Sequence, residues 1–102
     1  MRDEFQEVLA LQAEFSSSNT AAMQRRGVLI RQEIPRALQA GRPGIVAALG
    51  PHGDDLAFEG RDGTGRKTII PWVRCHSRSR SPNAQRGWYC VYLFHARGAG
   101  VF

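Results

Sequence analysis

Apolar residues in the first fifteen positions recur with the period of an α-helix. Phe5, Val8 and Leu9 stand three and four residues apart, and acidic residues occupy the first turn. This spacing places the apolar side chains on one helical face, and the helix dipole stabilises acids near an N-terminus. We therefore predict an amphipathic helix over about residues 2–15.

A serine-rich stretch separates this helix from a second one. Asn19 or Thr20 is suited to begin that helix, because a side-chain oxygen of either residue accepts a hydrogen bond from a free backbone N–H. The apolar pattern continues to Leu38, but Pro35 interrupts it. Proline lacks an N–H group and crowds the preceding turn, so we predict a kink or a break near Glu33.

The second half of the chain carries the patterns of β-strands. Residues 56–59 alternate weakly between apolar and polar, and residues 67–76 are rich in β-branched and aromatic side chains. Pro71 predicts an edge position or a bulge, because it cannot donate a hydrogen bond to a neighbouring strand. Residues 88–95 are apolar at nearly every position, which predicts a central strand covered on both faces. Residues 101–102 predict the start of another strand.

Helices followed by strands predict an α+β fold in a single domain that spans residues 1–102. A chain of this length has to place most of its apolar residues in one core. Because a domain rarely ends on the second residue of a strand, we expect the sequence to be part of a longer protein, truncated at its C-terminus.

The positive charge of the chain is concentrated in one stretch. The net charge is +5, yet residues 1–60 carry six bases against eight acids. Residues 61–86 carry seven bases and one acid, and the aromatic residues Trp72, Trp88 and Tyr89 lie in or beside this stretch. Arginines next to aromatic side chains suit a polyanion that also offers flat bases, which indicates a nucleic acid. The alternative is a solvated basic loop beside a hydrophobic strand.

Several protein classes are disfavoured by what the sequence lacks. No stretch approaches the roughly 20 apolar residues of a membrane span, and the acidic N-terminus lacks the apolar region of a signal peptide. We therefore expect a cytoplasmic protein without a membrane partner, in which Cys75 and Cys90 stay reduced, although they could face each other on neighbouring strands. The cysteines form no metal-ligand spacing with the histidines, so no metal or cofactor is expected. Hydrolase motifs and nucleotide-binding loops are also absent, so we do not expect an enzyme.

Two short motifs read Ile70-Pro-Trp-Val73 and Gly87-Trp-Tyr-Cys-Val-Tyr-Leu-Phe94. They follow the helical segment Leu29-Ile-Arg-Gln-Glu-Ile-Pro35 and the loop Gly60-Arg-Asp-Gly-Thr-Gly-Arg-Lys67. In this order, over nearly the whole chain, the segments resemble the McrB-like N-terminal domain family. That family is the DNA-recognition module of modification-dependent (type IV) restriction systems. The segment Arg74-Cys-His-Ser-Arg-Ser-Arg80 departs from the family pattern because it is more basic.

This resemblance implies a compact domain in which helices pack on a small mixed, curved β-sheet formed mainly by residues 56–102. Better understood members bind double-stranded DNA that carries a modified cytosine, and they rotate the base out of the duplex into a pocket lined by aromatic side chains. Flipping costs a few kcal/mol, and stacking on an aromatic side chain returns roughly 1–3 kcal/mol per base. Phosphate contacts supply much of the affinity irrespective of sequence.

Carried over to this sequence, the resemblance implies a base pocket, a phosphate loop and a set of basic contacts. The aromatic candidates for the pocket wall are Trp72 first, then Tyr89 and Tyr92. The small residues that let the backbone approach a phosphate are Gly63, Thr64 and Gly65. The residues expected to contact the DNA backbone are Arg66, Lys67, Arg74, His76, Arg78, Arg80 and Arg86. Core packing is the alternative for Trp72, and a hairpin turn needs the same glycines.

The cleavage chemistry is expected in other domains of the parent protein. The resemblance implies a fusion to an HNH nuclease or to a GTP-hydrolysing AAA+ motor. The arginine-rich composition, which is typical of GC-rich actinobacterial genomes, favours the HNH nuclease. The competing hypothesis is a structural or dimerising head with little DNA affinity of its own. It predicts an exposed apolar patch that includes Val8, Phe15 and Ile45 and makes a symmetric contact in a homodimer.

Overall fold

A computed structural model describes residues 2–44, 55–63, 65–78 and 89–102 of the chain. Helix α1, Arg2–Leu11, continues as a 3-10 turn over Gln12–Glu14. The predicted N-terminal helix is thereby confirmed, with its last turn wound more tightly. Within the described ranges, no helix combines the length and the apolar character that a membrane span requires.

A second helical run follows the serine-rich stretch. It consists of α2, Ala21–Val28, a π-helical segment, Leu29–Glu33, and α3, Ile34–Ala40. Thr20 caps α2, because its Oγ1 accepts a hydrogen bond from the Met23 backbone N–H at 3.2 Å. Pro35 lies in the first turn of α3. Proline has no N–H to donate, and the wider π-helical turn before it accommodates that loss. The helical run continues through Glu33, so the predicted break is absent and a π-helical segment lies there instead.

The sheet in the described residues has three strands in the order β1-β2-β3. They are β1, Leu56–Arg61, β2, Trp72–Ser77, and β3, Tyr89–Leu93. Both pairings are antiparallel, so the α+β class is confirmed but these strands do not form the mixed sheet that the resemblance implies. Residues 62–71 join β1 to β2, and a parallel arrangement would need a crossover of about a dozen residues or more.

The central strand is β2 rather than β3, contrary to the sequence prediction. Pro71 lies just before β2, outside the ladder, and its carbonyl oxygen accepts a hydrogen bond from the Phe94 N–H at 3.3 Å. On the other side of β3, the described chain adds one isolated pairing of Phe94 with Val101. Leu93 is 43% exposed, so β3 is not covered on both faces. Its apolar sequence instead combines one face packed on the helices with one exposed apolar face.

The helices cover one face of the sheet, which we call the helix face. Val73 of β2 is fully buried there and joins a core that contains Val8, Leu29, Ile30, Ile34, Leu38 and Phe94. Because side chains alternate along a strand, Trp72 belongs to the opposite face, which we call the outer face. Cys75 is buried, and the register sets its backbone opposite that of Cys90.

Gly60 allows β1 to lie directly against the helical run. A Cβ atom added at Gly60 would overlap the backbone carbonyl group of Ile30. Neither backbone can move without opening the core around Ile30, so we expect Gly60→Ala to destabilise the domain by about 3 kcal/mol or to prevent folding. Urea denaturation compares its midpoint with that of Gly100→Ala, where an added Cβ meets nothing within 4 Å. Equal midpoints for the two variants would contradict this close approach.

Candidate nucleic-acid interface

One row of residues on the outer face combines a cation with apolar side chains. The register pairs Arg61 of β1 with Trp72 of β2, and Trp72 with Leu93 of β3. Hydrogen bonds in both directions between the Leu93 and Phe102 backbones add a fourth member. Arg61, Leu93 and Phe102 are exposed, and Trp72 is partly buried. This outer row (Arg61, Trp72, Leu93, Phe102) gives aromatic surface next to a guanidinium group, which suits stacking of a nucleic-acid base.

Tyr92 lies on the helix face, away from Trp72. Its ring meets that of Phe5 edge to face, with ring centroids 5.5 Å apart, and it packs against the core. The structure therefore does not bring Tyr92 and Trp72 to one pocket. The Tyr89 backbone pairs with that of His76, and the Tyr89 side chain lies outside the described part of the chain.

A cleft of about 330 Å³, which we call the Arg61 cleft, opens beside the Arg61 end of the outer row. It is lined by Arg31 from the π-helical segment and by four residues at and after the end of β1, Arg61, Asp62, Gly63 and Gly65. Gly63 and Gly65 have positive φ angles of 102° and 76°, which residues with a side chain rarely adopt. Glycine turns of this kind let backbone N–H groups approach a phosphate closely.

Asp62 is a buried residue of the Arg61 cleft that holds two cations in place. Its side chain is 3% exposed and forms ion pairs with Lys67 Nζ at 3.2 Å and with Arg31 Nε at 3.1 Å. Its carbonyl oxygen accepts a hydrogen bond from the Thr68 N–H at 3.0 Å, which closes the loop. Lys67 is 10% exposed, and its charge is neutralised by the ion pair with Asp62, which stabilises the loop. Arg31 also pairs with Asp62, but about half of its side chain remains exposed to a ligand.

The remaining sequence candidates fall into three groups. Arg74 and His76 are buried, and the Arg74 Nε pairs with the carboxylate of Glu59 at 3.2 Å, so Arg74 is held within the fold. Arg66 and Arg78 are exposed and open to a partner. The candidates that lie outside the described residues are Thr64, Arg80 and Arg86. The structure thus leaves two of the described basic candidates on the surface.

Sequence reasoning did not select Arg31 and Arg61 as contact residues. Arg31 lies in the helical run, thirty positions before Arg61, and no local pattern shows that it faces the glycine loop. Arg61 directly precedes the loop, and this adjacency was the available signal. Both guanidinium groups contribute to the cleft because β1 packs beside the π-helical segment.

A buried arginine ties the helices to the loop behind the Arg61 cleft. Arg26 is fully buried, and its Nη1 donates to Gln12 Oε1 while its Nη2 donates to the Thr68 carbonyl oxygen, both at 2.7 Å. Gln12 Nε2 in turn donates to the carbonyl oxygens of Ile69 at 2.8 Å and His95 at 3.1 Å. This network connects α1 and α2 to the segment that leads into β2, and so it fixes the loop that carries the cleft.

We expect Gln12→Ala to destabilise the domain by about 2–4 kcal/mol, because each buried polar group left unpaired costs about 1–3 kcal/mol. Burial lowers the pKa of the Arg26 guanidinium, and the charge of Asp62 acts in the opposite direction. Because burial disfavours the charged guanidinium, losing the hydrogen bond to Gln12 leaves it stabilised mainly by the Thr68 carbonyl oxygen. Thermal or urea unfolding measures the loss. Gln6→Ala, at an exposed position on α1, is the control and should change stability by less than about 0.5 kcal/mol. A Gln12 variant as stable as the wild type would contradict the network.

Comparison with known protein families agrees with the resemblance seen in the sequence. The family described as "MrcB-like, N-terminal domain" matches residues 10–102, nearly the whole chain. Comparison with curated proteins and with solved structures found no match. A recognition-type N-terminal domain of this kind is not itself catalytic. The chain therefore belongs to the McrB-like N-terminal domain family, which has a DNA-recognition role in restriction systems.

Proposed function

We propose that this domain binds double-stranded DNA and reads a modified cytosine that is rotated out of the duplex. The observation that carries the proposal is that Arg61 belongs both to the Arg61 cleft and to the outer row. Neighbouring strands lie about 4.8 Å apart, so a phosphate at Arg61 and a base on Trp72 lie within the reach of one nucleotide. Guanidinium groups and glycine backbone suit the phosphate, and the indole ring suits the base.

The energies are compatible with reading a small modification. Rotating a base out of the duplex costs a few kcal/mol, which stacking on Trp72 largely offsets at roughly 1–3 kcal/mol per base. Leu93, beside Trp72 on the outer row, supplies apolar surface for a methyl group. Burying one methyl group contributes about 0.8 kcal/mol, which corresponds to a roughly fourfold preference for the methylated base. Larger preferences require a pocket that also excludes the wrong base.

The residues selected from the sequence have two roles, DNA contact and support of the fold. The exposed arginines Arg31, Arg61 and Arg66 contact phosphates, and Trp72 stacks on the base. Lys67 and Arg74 support the fold through their ion pairs with Asp62 and Glu59. Further DNA contacts are assigned to four candidates that the sequence suggested: Thr64, Tyr89, Arg80 and Arg86. Cleavage belongs to a nuclease or motor domain of the parent protein.

Fluorescence-anisotropy titration of the chain at low and moderate salt tests this proposal. Matched duplexes carry unmodified cytosine, 5-methylcytosine, 5-hydroxymethylcytosine or a phosphorothioate backbone. We expect salt-sensitive binding that is tightest for one modified duplex. Equal binding to every duplex would contradict the reading of a modification, and absence of binding at low salt would contradict DNA recognition by this domain.

The alternative is a structural or dimerising head. It predicts an exposed apolar patch at Val8, Phe15 and Ile45, and the structure does not show that patch. Val8 is fully buried in the core, the Arg26 guanidinium lies 5.6 Å from the Phe15 ring centroid, and Ile45 lies outside the described residues. The observation that favours this alternative is the exposure of two neighbouring apolar side chains, Ile69 at 52% and Ile70 at 45%. Sedimentation of the wild type and of Ile70→Ser tests it: a dimer that the substitution dissociates supports a dimerising head, and a wild-type monomer excludes one.

A further inference from the structure

A second arginine-lined cleft lies at the opposite end of β1, and we call it the Arg78 cleft. It measures about 480 Å³ and is lined by Gln39, Arg42, Asp55, Leu56 and Arg78. Arg78 is exposed, so its guanidinium group is open to a ligand. The cleft belongs to neither the outer row nor the Arg61 cleft, because it adjoins the first residue of β1 and not the last.

The polar groups of this cleft are arranged around the two arginines. Arg42 Nη1 donates a hydrogen bond to the Leu56 carbonyl oxygen, which anchors that guanidinium at the strand end. Asp55 contributes the negative charge among the lining residues, and its Oδ1 accepts a hydrogen bond from the Ser77 hydroxyl at 2.6 Å. The Asp55 carbonyl oxygen accepts the Arg78 N–H at 3.1 Å. Among the described lining residues, two guanidinium groups stand beside one carboxylate.

Both clefts lie along one seam, where β1 packs beside the helical run. Arg31 lines the cleft at the Arg61 end, and Gln39 and Arg42 line the cleft at the Leu56 end. A strand rises about 3.3 Å per residue, so the two ends of β1 are about 17 Å apart. On the helical side, Arg31 and Gln39 belong to one helical run that ends at Ala40, and Arg42 follows that end. The two clefts are therefore held at a fixed spacing by regular secondary structure.

We infer that the Arg78 cleft is a second phosphate site, so that the domain contacts two phosphates of one DNA duplex along the β1 seam. The inference rests on the proposed function and extends it to residues outside the outer row. The phosphates that flank one groove face the same side of the duplex, and with a major groove about 12 Å wide between their surfaces, their centres are on the order of 17 Å apart. Guanidinium groups bind phosphate oxygens in a bidentate geometry, and duplex DNA is stiff over this length. A rigid pair of sites therefore matches a rigid ligand with regularly spaced phosphates.

A scan with uncharged methylphosphonates tests the second site directly. Each duplex in the series has one backbone phosphate neutralised, and the affinity of the chain is measured by anisotropy. Loss of one ionic contact weakens binding about eightfold at about 0.1 M salt. We expect two groups of sensitive positions, one on each strand, facing each other across one groove of the duplex. Arg61→Gln should reduce the sensitivity of one group, to which Arg31 also contributes, and Arg78→Gln should remove that of the other.

The variants are chosen so that misfolding does not imitate loss of binding. Arg78 is exposed, so Arg78→Gln is the primary variant, and Arg78→Lys should retain part of the sensitivity because it keeps the charge. Arg42→Gln also removes the hydrogen bond to the Leu56 carbonyl oxygen, so it is used only if its melting temperature equals that of the wild type. Arg36→Gln is the matched control, because Arg36 is exposed on α3 and lines a different cleft with Glu4 and Glu33.

Two outcomes would overturn the inference. A single group of sensitive positions, or a second group that persists in Arg78→Gln, removes the second site and leaves the proposed function in place. Absence of binding to the unsubstituted duplex overturns the proposed function and this inference together.

Discussion

Replacing both Arg31 and Arg61 with glutamine is expected to weaken binding to every duplex by roughly 60-fold at about 0.1 M salt. Each lost phosphate contact reduces the dependence of log K on log salt by about 0.9, which amounts to about eightfold in affinity at that salt concentration. Because phosphate contacts carry no base information, modified and unmodified duplexes should lose affinity by the same factor. Titrations at several salt concentrations measure both the affinity and the slope.

The stability of this double variant has to be checked, because Arg31 also pairs with the buried Asp62 at 3.1 Å. Lys67 remains beside Asp62, so the variant should fold, and circular dichroism establishes whether it does. Arg61→Gln alone is the safer single change, because the Arg61 side chain is largely exposed and its contact with Glu59 is long, at 3.5 Å. The matched control removes two exposed arginines elsewhere, Arg36 and Arg97. An unchanged salt slope in the cleft variant would show that the Arg61 cleft is not a phosphate site.

Trp72→Ala is expected to abolish the preference for the modified duplex. Stacking on an aromatic ring contributes roughly 1–3 kcal/mol per base, so affinity for that duplex should fall about 5- to 150-fold. Binding to the unmodified duplex should fall by a smaller factor, and the ratio of the two factors should equal the wild-type preference, roughly fourfold for a methyl group. The ratio of the two dissociation constants is the quantity that reports on Trp72.

Trp72→Phe is the matched variant for this prediction, since it keeps an aromatic ring at the same place on β2. It should retain part of the preference, whereas Trp72→Ala should retain none. Trp72 is partly buried on the face opposite the core, so both variants should keep a cooperative melting transition. Folded Trp72→Ala protein that still prefers the modified duplex would exclude Trp72 as the base-stacking residue.

Local signals in the sequence predict the helical half of this domain well. The Thr20 cap depends on a hydroxyl oxygen within reach of the Met23 N–H, and the disturbance near Glu33 depends on the missing N–H of Pro35. Both effects act within one or two turns of helix. The order of the strands cannot be predicted from such local signals, because it depends on pairing between distant parts of the chain. An apolar segment such as residues 88–95 fits a central strand and also a strand with one exposed apolar face.

The candidate site shows the same division between local and distant information. Gly63, Gly65 and Trp72 are found from short motifs that lie close together in sequence. Which cations are open to a partner cannot be predicted in that way, because it depends on which acids lie nearby in the fold. Lys67 is neutralised by Asp62, which is near it in sequence, but Arg74 pairs with Glu59 across two strands.

Fluorescence of 2-aminopurine placed next to the modified cytosine is the most direct test of the central claim. Stacking quenches this base analogue, so its emission rises when the neighbouring base leaves the stack. We predict a rise when the chain saturates the modified duplex, little change with the unmodified duplex, and none with Trp72→Ala. Saturated binding of the modified duplex, established by anisotropy, with no change in emission would contradict base rotation onto the outer row.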